Sequence, residues 1–264
     1  DYRDWGNRAS HFDIIKGPGN VYVSAHFGYF NKVNQWDNTK ITTFTFSPNN
    51  HNYHRYIDEI KINDQNSNSY NKHTTLVQLN DSTVVVAFEG KDSDGMIQTL
   101  KIKADGIITK LKKFEHDTNL GQHNALVRVD DNTVALAYYA SNKGTLKTFD
   151  IAADGTITQV ASKDFSTGSN AGKYNQLVRL NTNIFVHAYS GVSADGFIDA
   201  YDISADGKTI ALKKSLEHDE AQNSYNSLIK IGLNRVALAY TVIDTDGFVK
   251  SFDITSDGTT ISQD

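Results

Sequence analysis

Apolar residues recur along this chain in short runs that are separated by polar turn residues. One stretch reads NALVRV, TVALAYY, TLKTFDI and TITQVASKDF, and each run is rich in β-branched and aromatic side chains. Such runs are typical of β-strands, and no stretch shows a sustained helical period. Asp154-Gly155 and Asp206-Gly207 stand between the last two runs of their units, where an Asp-Gly pair supplies the positive φ of a tight hairpin. The pattern predicts an all-β chain.

The group of four runs is repeated along the chain. Aligned copies begin at Thr74, Asn124, Asn175 and Asn226. Their aligned leucines follow one another at intervals of 50, 51 and 51 residues, and they are Leu76, Leu126, Leu177 and Leu228. A fifth, diverged copy places Phe12 in the leucine position, 64 residues before Leu76, so this copy carries an insertion. Four strands in roughly 50 residues are typical of a propeller blade.

A single sheet of this kind cannot bury both of its apolar faces, so the blades are expected to stack around an axis. The predicted fold is an all-β, five-bladed β-propeller of four-stranded antiparallel blades, forming one domain over residues 1–264. The expected blades cover about 7–64, 65–117, 118–166, 167–219 and 220–264, with 1–6 as a candidate closing latch.

The inner strand of each blade is expected to begin on one face of the propeller, here called the top face. An aromatic-Asn pair recurs there, as His123-Asn124, Tyr174-Asn175 and Tyr225-Asn226, with His73 in looser agreement. A flat ring beside an amide suits a sugar or another polyhydroxyl ligand, so these residues are candidates for ligand binding. The alternative is that each Asn bonds a neighbouring backbone and each ring packs against the next blade.

Blade 1 departs from the repeat. The loop between its second and third strands is expected at roughly His26 to Lys40, and it carries Tyr29 and Trp36. Long loops in compact domains are often functional, so both rings join the candidate ligand-binding set. Their exposed rings either stack on a ligand or cover blade 1.

Two further motifs lie in the expected top-face loops. Glu115-His116-Asp117 and Glu217-His218-Asp219 hold a histidine between carboxylates, which can bind metal or move protons. The favoured interpretation is a hydrogen bond that organises the loop, with Asp as the turn acceptor. Asp92/Asp94 and Asp244/Asp246 precede glycines as in calcium loops, but the longer ladder of ligands is missing. They are interpreted as hairpin turns, with calcium as the weaker alternative and no other cofactor.

One histidine falls inside a predicted strand. His187 stands where the other blades have Val86, Leu136 or Leu238. It is interpreted as a core histidine whose hydrogen bonds are satisfied.

The composition of the chain argues against several classes of partner and site. A net charge of −5 and a pI near 6.0 provide no basic field for phosphates, so nucleic acid is not an expected partner. The chain has no cysteine, which excludes disulfides, thiolate nucleophiles and cysteine metal sites. No apolar run approaches the length of a membrane span. Richness in Asn, Ser, Thr and Tyr leans toward an extracellular or periplasmic location without deciding the compartment.

The repeat unit LVR…VALAY…FDI.ADGTIT resembles the repeats of bacterial and marine β-propeller proteins, and it covers nearly the whole chain. The five-blade layout is similar to tachylectin-type lectins in architecture, without their motifs. The favoured hypothesis is therefore a non-catalytic, lectin-like module that binds carbohydrate or another small polar ligand at repeated weak sites.

Two other hypotheses stay open. One is a protein-interaction scaffold or a surface module of a larger protein. The other is a glycoside-active enzyme, which needs a pair of axial carboxylates, whereas the inner strands begin with Ser, Thr and Asn. No catalytic residue and no metal ligand is assigned from the sequence.

Overall fold

A computed structural model of the chain describes residues 9–30, 35–36, 39–47, 50–62, 73–242 and 246–264. Side chains are described for residues 13–26, 39–46, 55–62, 73–242 and 246–264. Within these ranges the regular elements are β-strands, apart from two short 3-10 turns at Lys91–Ser93 and Val192–Ala194. Among the described residues, no helix has the length and hydropathy of a membrane span.

The first two sheets are formed by strands β1 to β9. Blade 1 contains β1 (Ala9–Lys16), β2 (Tyr22–Phe30), β3 (Gln35–Trp36), β4 (Lys40–Ser47) and β5 (Asn50–Lys61). Blade 2 contains β6 (Thr75–Gln78), β7 (Thr83–Glu89), β8 (Gly95–Ile102) and β9 (Ile108–Asp117).

The other three sheets are formed by strands β10 to β21. Blade 3 contains β10 (Gln122–Arg128), β11 (Thr133–Tyr139), β12 (Lys143–Ile151) and β13 (Ile157–Thr167). Blade 4 contains β14 (Lys173–Arg179), β15 (Ile184–Ser190), β16 (Gly196–Ile203) and β17 (Ile210–Asp219). Blade 5 contains β18 (Ser224–Lys230), β19 (Arg235–Thr241), β20 (Gly247–Ile254) and β21 (Ile261–Gln263).

Each blade is an antiparallel meander in which strands that follow one another in the chain are neighbours in the sheet. Blade 1 keeps the four-strand path β1-β2-β4-β5, and β3 is added onto β2. The predicted fold class is confirmed: the protein is an all-β, five-bladed β-propeller of four-stranded antiparallel blades.

The loop expected in blade 1 is partly strand. β2 continues beyond His26 to Phe30, and Tyr29 pairs with Trp36 of β3. This stretch extends the sheet, because the pairing satisfies backbone groups that a loop would leave to solvent. The side chains of Tyr29 and Trp36 lie outside the described residues.

The chain divides into two compact units. The first holds blades 1 and 2 together with residues 152–157, and the second holds residues 123–151 and 158–264, which form most of blades 3 to 5. One domain over 1–264 stays a prediction. So does the latch at residues 1–6, which lie outside the described residues.

Inside each unit the blades bury both faces of their strands. In blade 2, Val84, Val86 and Phe88 face an apolar cluster shared with blade 1, and their alternate neighbours Val85 and Ala87 are also fully buried. Equivalent clusters lie between blades 3 and 4 and between blades 4 and 5. Burial on both faces explains why the strands read as continuous apolar runs rather than as an alternating pattern.

Successive blades are also linked by one recurring hydrogen bond. The hydroxyl of a threonine in the third strand donates to the carbonyl of the glycine in the next blade's Asp-Gly turn. The pairs are Thr43 with Gly106 at 2.6 Å, Thr99 with Gly155 at 2.8 Å and Thr148 with Gly207 at 2.6 Å. These glycines have positive φ, and a Cβ on Gly155 would lie 2.6 Å from the Cβ of Leu111. The Asp-Gly turn therefore both closes a hairpin and packs against the preceding blade.

One face of blade 5 is exposed. Val249 is 76% exposed, whereas the aligned Ile97, Leu146 and Ile198 of blades 2 to 4 are fully buried. Ile229 on the same blade is 61% exposed. The sequence of this face is that of a buried blade face, because it derives from the same repeat.

Candidate functional site

The candidate site is built on an irregularity at the start of the inner strands. His123, Tyr174 and Tyr225 each have φ of 53°, in the left-handed region, and His73 has φ of 59°. In blades 4 and 5 this position coincides with a shift in the pairing register between the first and second strands. A bulge of this kind turns a side chain away from the direction that the regular strand would give it, and bulges are common beside active sites.

Three of the rings form a row in the second unit, here called the aromatic row. The centroids of His123 and Tyr174 are 4.6 Å apart, and those of Tyr174 and Tyr225 are 5.1 Å apart. Tyr225 is 72% exposed, whereas His123 and Tyr174 are half-buried. Burial raises the pKa of the Tyr174 hydroxyl, with a smaller contribution from Tyr225. The row therefore presents imidazole and phenol groups side by side, with its open end at blade 5.

The asparagines of the predicted pairs lie beneath the row. Asn124, Asn175 and Asn226 are all at most 7% exposed. Asn175 Nδ2 donates to the carbonyls of His123 and Gly172 at 2.9 Å each, and Asn226 Nδ2 donates to the carbonyl of Tyr174 at 3.0 Å. Each of these two side-chain amides therefore holds the backbone of the left-handed residue in the preceding blade. This agrees with the alternative prediction, in which each asparagine bonds a neighbouring backbone. A direct role of the asparagines in ligand binding stays a prediction.

The other predicted site residues are His73, Tyr29 and Trp36. His73 belongs to the first unit, where it has the same left-handed conformation and is half-buried. The side chains of Tyr29 and Trp36 lie outside the described residues, so their proposed contact with a ligand stays a prediction.

Two residues that the sequence did not single out adjoin the row. The Tyr139 ring is 6.4 Å from the His123 ring, and Lys173 Nζ lies 5.1 Å from the centroid of Tyr139. Lys173 also donates to Asn170 Oδ1 at 2.8 Å. Tyr139 ends the second strand of blade 3, where blades 4 and 5 have Ser190 and Thr241, and this departure from the repeat was the available signal. The Lys173 ammonium thus lies over a ring that neighbours the His123 end of the row.

The Glu-His-Asp motifs have a packing role. The imidazoles of His116 and His218 lie directly over Gly95 and Gly196, and in blade 3 the ring of Phe165 lies over Gly144 in the same way. Since phenylalanine takes the place of histidine in blade 3, this position requires a flat ring that packs against a glycine, which has no Cβ. Burial is the main cause that lowers the pKa of His218, to about 4, so this imidazole is neutral at pH 7.

The aspartates of these motifs organise the loops that follow, as expected. Asp117 Oδ1 accepts from the backbone N–H groups of Asn119 and Leu120, at 3.0 and 3.2 Å. Asp219 Oδ1 accepts from the N–H of Ala221 at 3.0 Å, and its Oδ2 accepts from the Tyr240 hydroxyl at 2.7 Å. The prediction of a turn acceptor is confirmed at both positions.

Asp94 and Asp246 of the paired aspartates lie in tight turns. Gly90 N donates to Asp94 O at 2.7 Å across the 3-10 turn, and Val242 N donates to Asp246 O at 3.0 Å. Burial raises the pKa of Asp94, and the carboxylates of Asp92 and Asp117 raise it further. Asp244 lies outside the described residues. Calcium binding at these loops stays a prediction.

A buried polar cluster distinguishes blade 4. His187 is fully buried, and its Nε2 lies 2.9 Å from Asn175 Oδ1. Its ring stacks on Tyr189 at 4.7 Å. Asp199, its cross-strand neighbour, is 1% exposed and accepts from the Tyr201 hydroxyl at 2.9 Å. The interpretation of His187 as a core histidine is confirmed, but its hydrogen bonds are satisfied only at Nε2, because Nδ1 is buried without a partner among the described residues.

Burial decides the charge of this cluster. It lowers the pKa of His187 to about 3 and raises that of Asp199 to about 6, against hydrogen bonds that favour the carboxylate. The sequence interpretation missed Asp199. The aligned residues of blades 2, 3 and 5 are Gln98, Lys147 and Lys250, so the acidic residue is again a departure from the repeat.

No protein-family model matches the sequence, and no curated protein matches it. Solved structures share the fold. A protein from Lactobacillus plantarum has a TM-score of 0.64 and 11% identity, over 92% of this chain and 67% of that chain. A Bacteroides fragilis protein proposed to be a 6-phosphogluconolactonase has a TM-score of 0.56 and 11% identity, over 92% and 81%. Fructan 1-exohydrolase IIa from Cichorium intybus has a TM-score of 0.56 and 12% identity, over 98% and 58%.

These neighbours correct the expectation of a non-catalytic, lectin-like binding module. Two of the three bear the names of enzymes, and the comparisons give no link to tachylectin-type lectins. At such low identities the likeness itself shows the fold alone. Of the hypotheses drawn from the sequence, the glycoside-active enzyme agrees better with the names of these neighbours than a lectin does. What the comparisons establish for this chain is the β-propeller fold.

Proposed function

We propose that the protein is a hydrolase that opens the ring of a sugar-derived lactone, with His123 as the general base. The observation that carries the proposal is the aromatic row, in which the His123 imidazole lies 4.6 Å from the Tyr174 ring, which in turn lies 5.1 Å from the exposed ring of Tyr225. A sugar ring can lay its apolar face on the phenol rings while its carbonyl faces the imidazole. The name of the Bacteroides fragilis neighbour supports this choice of substrate.

The reaction requires few groups. The His123 imidazole accepts a proton from water while the oxygen of that water adds to the lactone carbonyl. The tetrahedral intermediate then expels the ring oxygen, which takes the proton back from the imidazolium, and a hydroxy acid is released. The Lys173 ammonium, which contacts the Tyr139 ring beside His123, supplies positive charge for the developing oxyanion.

Lactone opening is favoured over glycoside cleavage by the residues at the row. Glycosidases of the usual kind need two carboxyl groups on either side of the scissile bond. The residues that follow the rings of the row are Asn124, Asn175 and Asn226, whose amides do not supply this chemistry. A lactone carbonyl is already electrophilic, so a single base and a nearby cation are sufficient.

The test is hydrolysis of gluconolactone, with and without a 6-phosphate, followed as acid release above the spontaneous rate. His123→Gln is expected to lower kcat by about a hundredfold or more, since it removes the general base. Tyr225→Ala is expected to raise KM by about fivefold with kcat nearly unchanged, because it removes one stacking ring. Tyr56→Ala, which removes a tyrosine of blade 1 that is 41% exposed, is the matched control. A wild-type rate equal to the spontaneous rate, or full activity in His123→Gln, contradicts the proposal.

A further inference from the structure

Asn175 connects the aromatic row to the buried cluster of blade 4. Its Nδ2 donates both hydrogens, to the carbonyls of His123 and Gly172. Its Oδ1, which has no hydrogen to give, lies 2.9 Å from His187 Nε2. His187 must therefore carry its proton on Nε2 and donate it to Asn175.

The hydrogen bond from a histidine to the asparagine Oδ1 is particular to blade 4. The residues aligned with His187 are Val86, Leu136 and Leu238, which have no hydrogen to donate. In blade 5, Asn226 also bonds the preceding blade through Nδ2, but its Oδ1 is buried without a hydrogen-bond partner among the described residues. A histidine therefore completes the bonding of one amide, and that amide holds the carbonyl of His123.

The other side of the imidazole faces an acidic residue. With Nε2 protonated and the ring neutral, His187 Nδ1 is an acceptor, and it is buried without a partner among the described residues. Asp199 pairs with His187 across the strands. Ser215, Tyr201 and Tyr189 are hydrogen-bonding groups around its carboxyl, but no described residue lies at hydrogen-bond distance from its Oδ1. Burial raises the pKa of the Asp199 carboxyl to about 6, so it is mostly neutral below that pH, where it can donate toward Nδ1 through one water.

We propose that His187 is a positioning residue for the reaction, because through Asn175 it holds the backbone of His123 and so orients the imidazole that activates water. The inference rests on the proposed function. The left-handed backbone of His123 is strained for a non-glycine residue, and the hydrogen bond from Asn175 to its carbonyl supports that conformation.

The first experiment compares His187→Leu with His187→Gln. Leucine reproduces blades 3 and 5, and it is expected to lower kcat by about tenfold or more while KM changes less than about twofold, because the base is misplaced and the stacking rings remain. Glutamine can still donate to Asn175 Oδ1, so it is expected to recover most of kcat. His218→Phe is the matched control, since it changes a second buried histidine to the residue that blade 3 uses, and its kcat is expected to equal that of the wild type.

The second experiment is NMR, and its first part uses the wild-type protein, so that this part depends neither on activity nor on a variant that folds. The ¹⁵N signals of His187 are expected to show the Nε2–H form, and the Nδ1–H form would overturn the inference. In His187→Leu the side-chain amide of Asn175 and the backbone amide of Asn124, which follows the His123 carbonyl, are expected to shift.

The outcomes separate the two proposals. If the wild-type protein does not hydrolyse the lactone, the proposed function is wrong. The NMR comparison then decides by itself whether His187 holds the His123 backbone. An active wild type together with a folded His187→Leu variant of unchanged kcat and unchanged amide signals removes the role of His187.

Discussion

At the residue scale, the same unfavourable backbone conformation recurs in successive blades. His123, Tyr174 and Tyr225 adopt φ of 53°, which costs a non-glycine residue roughly 1–2 kcal/mol. The cost is offset in part by the buried asparagine of the following blade, which bonds the carbonyls of His123 and Tyr174. A ring-bearing residue with a strained backbone therefore recurs together with a buried asparagine amide, and this combination sets the direction of the rings in the aromatic row.

The buried carboxyl of Asp199 makes a testable contribution to pH dependence. Burial raises its pKa from 3.8 to about 6, so the folded protein binds this proton more tightly than the unfolded chain. The group therefore destabilises the fold increasingly as pH rises from about 4 to above 6, by about 3 kcal/mol in total. Asp199→Asn cannot ionise, so its stability relative to the wild type is expected to rise by that amount between about pH 4 and pH 7.5.

Urea unfolding of both proteins across this pH range measures the effect. The protonation of His187 on unfolding is common to both proteins and cancels in the comparison. A stability difference that does not change with pH contradicts the expected ionisation of Asp199.

At the scale of elements, one threonine in the third strand links three features of the blade. The pairing of β8 with β9 shifts register at Thr99, and the Thr99 hydroxyl accepts from Lys112 N at 3.1 Å, which the shift leaves unpaired in the ladder. The same hydroxyl donates to Gly155 O in the next blade's turn. Bulge, hydroxyl and Asp-Gly turn therefore work together to join neighbouring blades.

The contribution of this link is measured by Thr148→Val, which keeps the shape of the side chain. The variant loses the bond to Gly207 O and the bond from Ala161 N, and both groups become unpaired. The expected cost is about 1–3 kcal/mol of unfolding free energy. Thr156→Val, which loses an exposed bond to Asp154, is the control and is expected to change stability by less than about 0.5 kcal/mol. Equal effects of the two substitutions in urea unfolding would show that the link between blades contributes nothing.

At the scale of the whole molecule, stability depends on blade faces that cover one another within each unit. Ile198 of blade 4 is fully buried in the cluster shared with blade 5. Val249 occupies the aligned position in blade 5 and is 76% exposed. The two positions share a sequence origin but differ in what covers them.

This difference predicts unequal effects of truncation. Ile198→Ala is expected to cost about 2–5 kcal/mol, because it leaves a cavity between blades. Val249→Ala is expected to cost less than about 0.5 kcal/mol, because its side chain is mostly in water. Thermal or urea unfolding of the two variants checks this. A cost at Val249 comparable to that at Ile198 would mean that this face of blade 5 is covered in solution.

The sequence alone determined the architecture, because the repeat carries it in many positions at once. Four-stranded blades are predicted independently by the aligned leucines, the apolar faces and the Asp-Gly turns. Because each feature recurs in several copies, a misleading residue at one position has little effect on the prediction. The start of the inner strands was also found in this way, because the aromatic-Asn pair recurs with the same period. The turn role of Asp117 and Asp219 followed from a local property of aspartate.

Only the tertiary structure decided how these residues are used. The sequence does not show that the amides of Asn175 and Asn226 point at the preceding blade, or that Tyr139 lies between His123 and Lys173, because these contacts join residues far apart in the chain. The same limit applies to Asp199 and His187, whose charge states depend on burial between two blades. The strand pattern depends on local sequence, whereas a site depends on which side chains the packing of separate blades brings together.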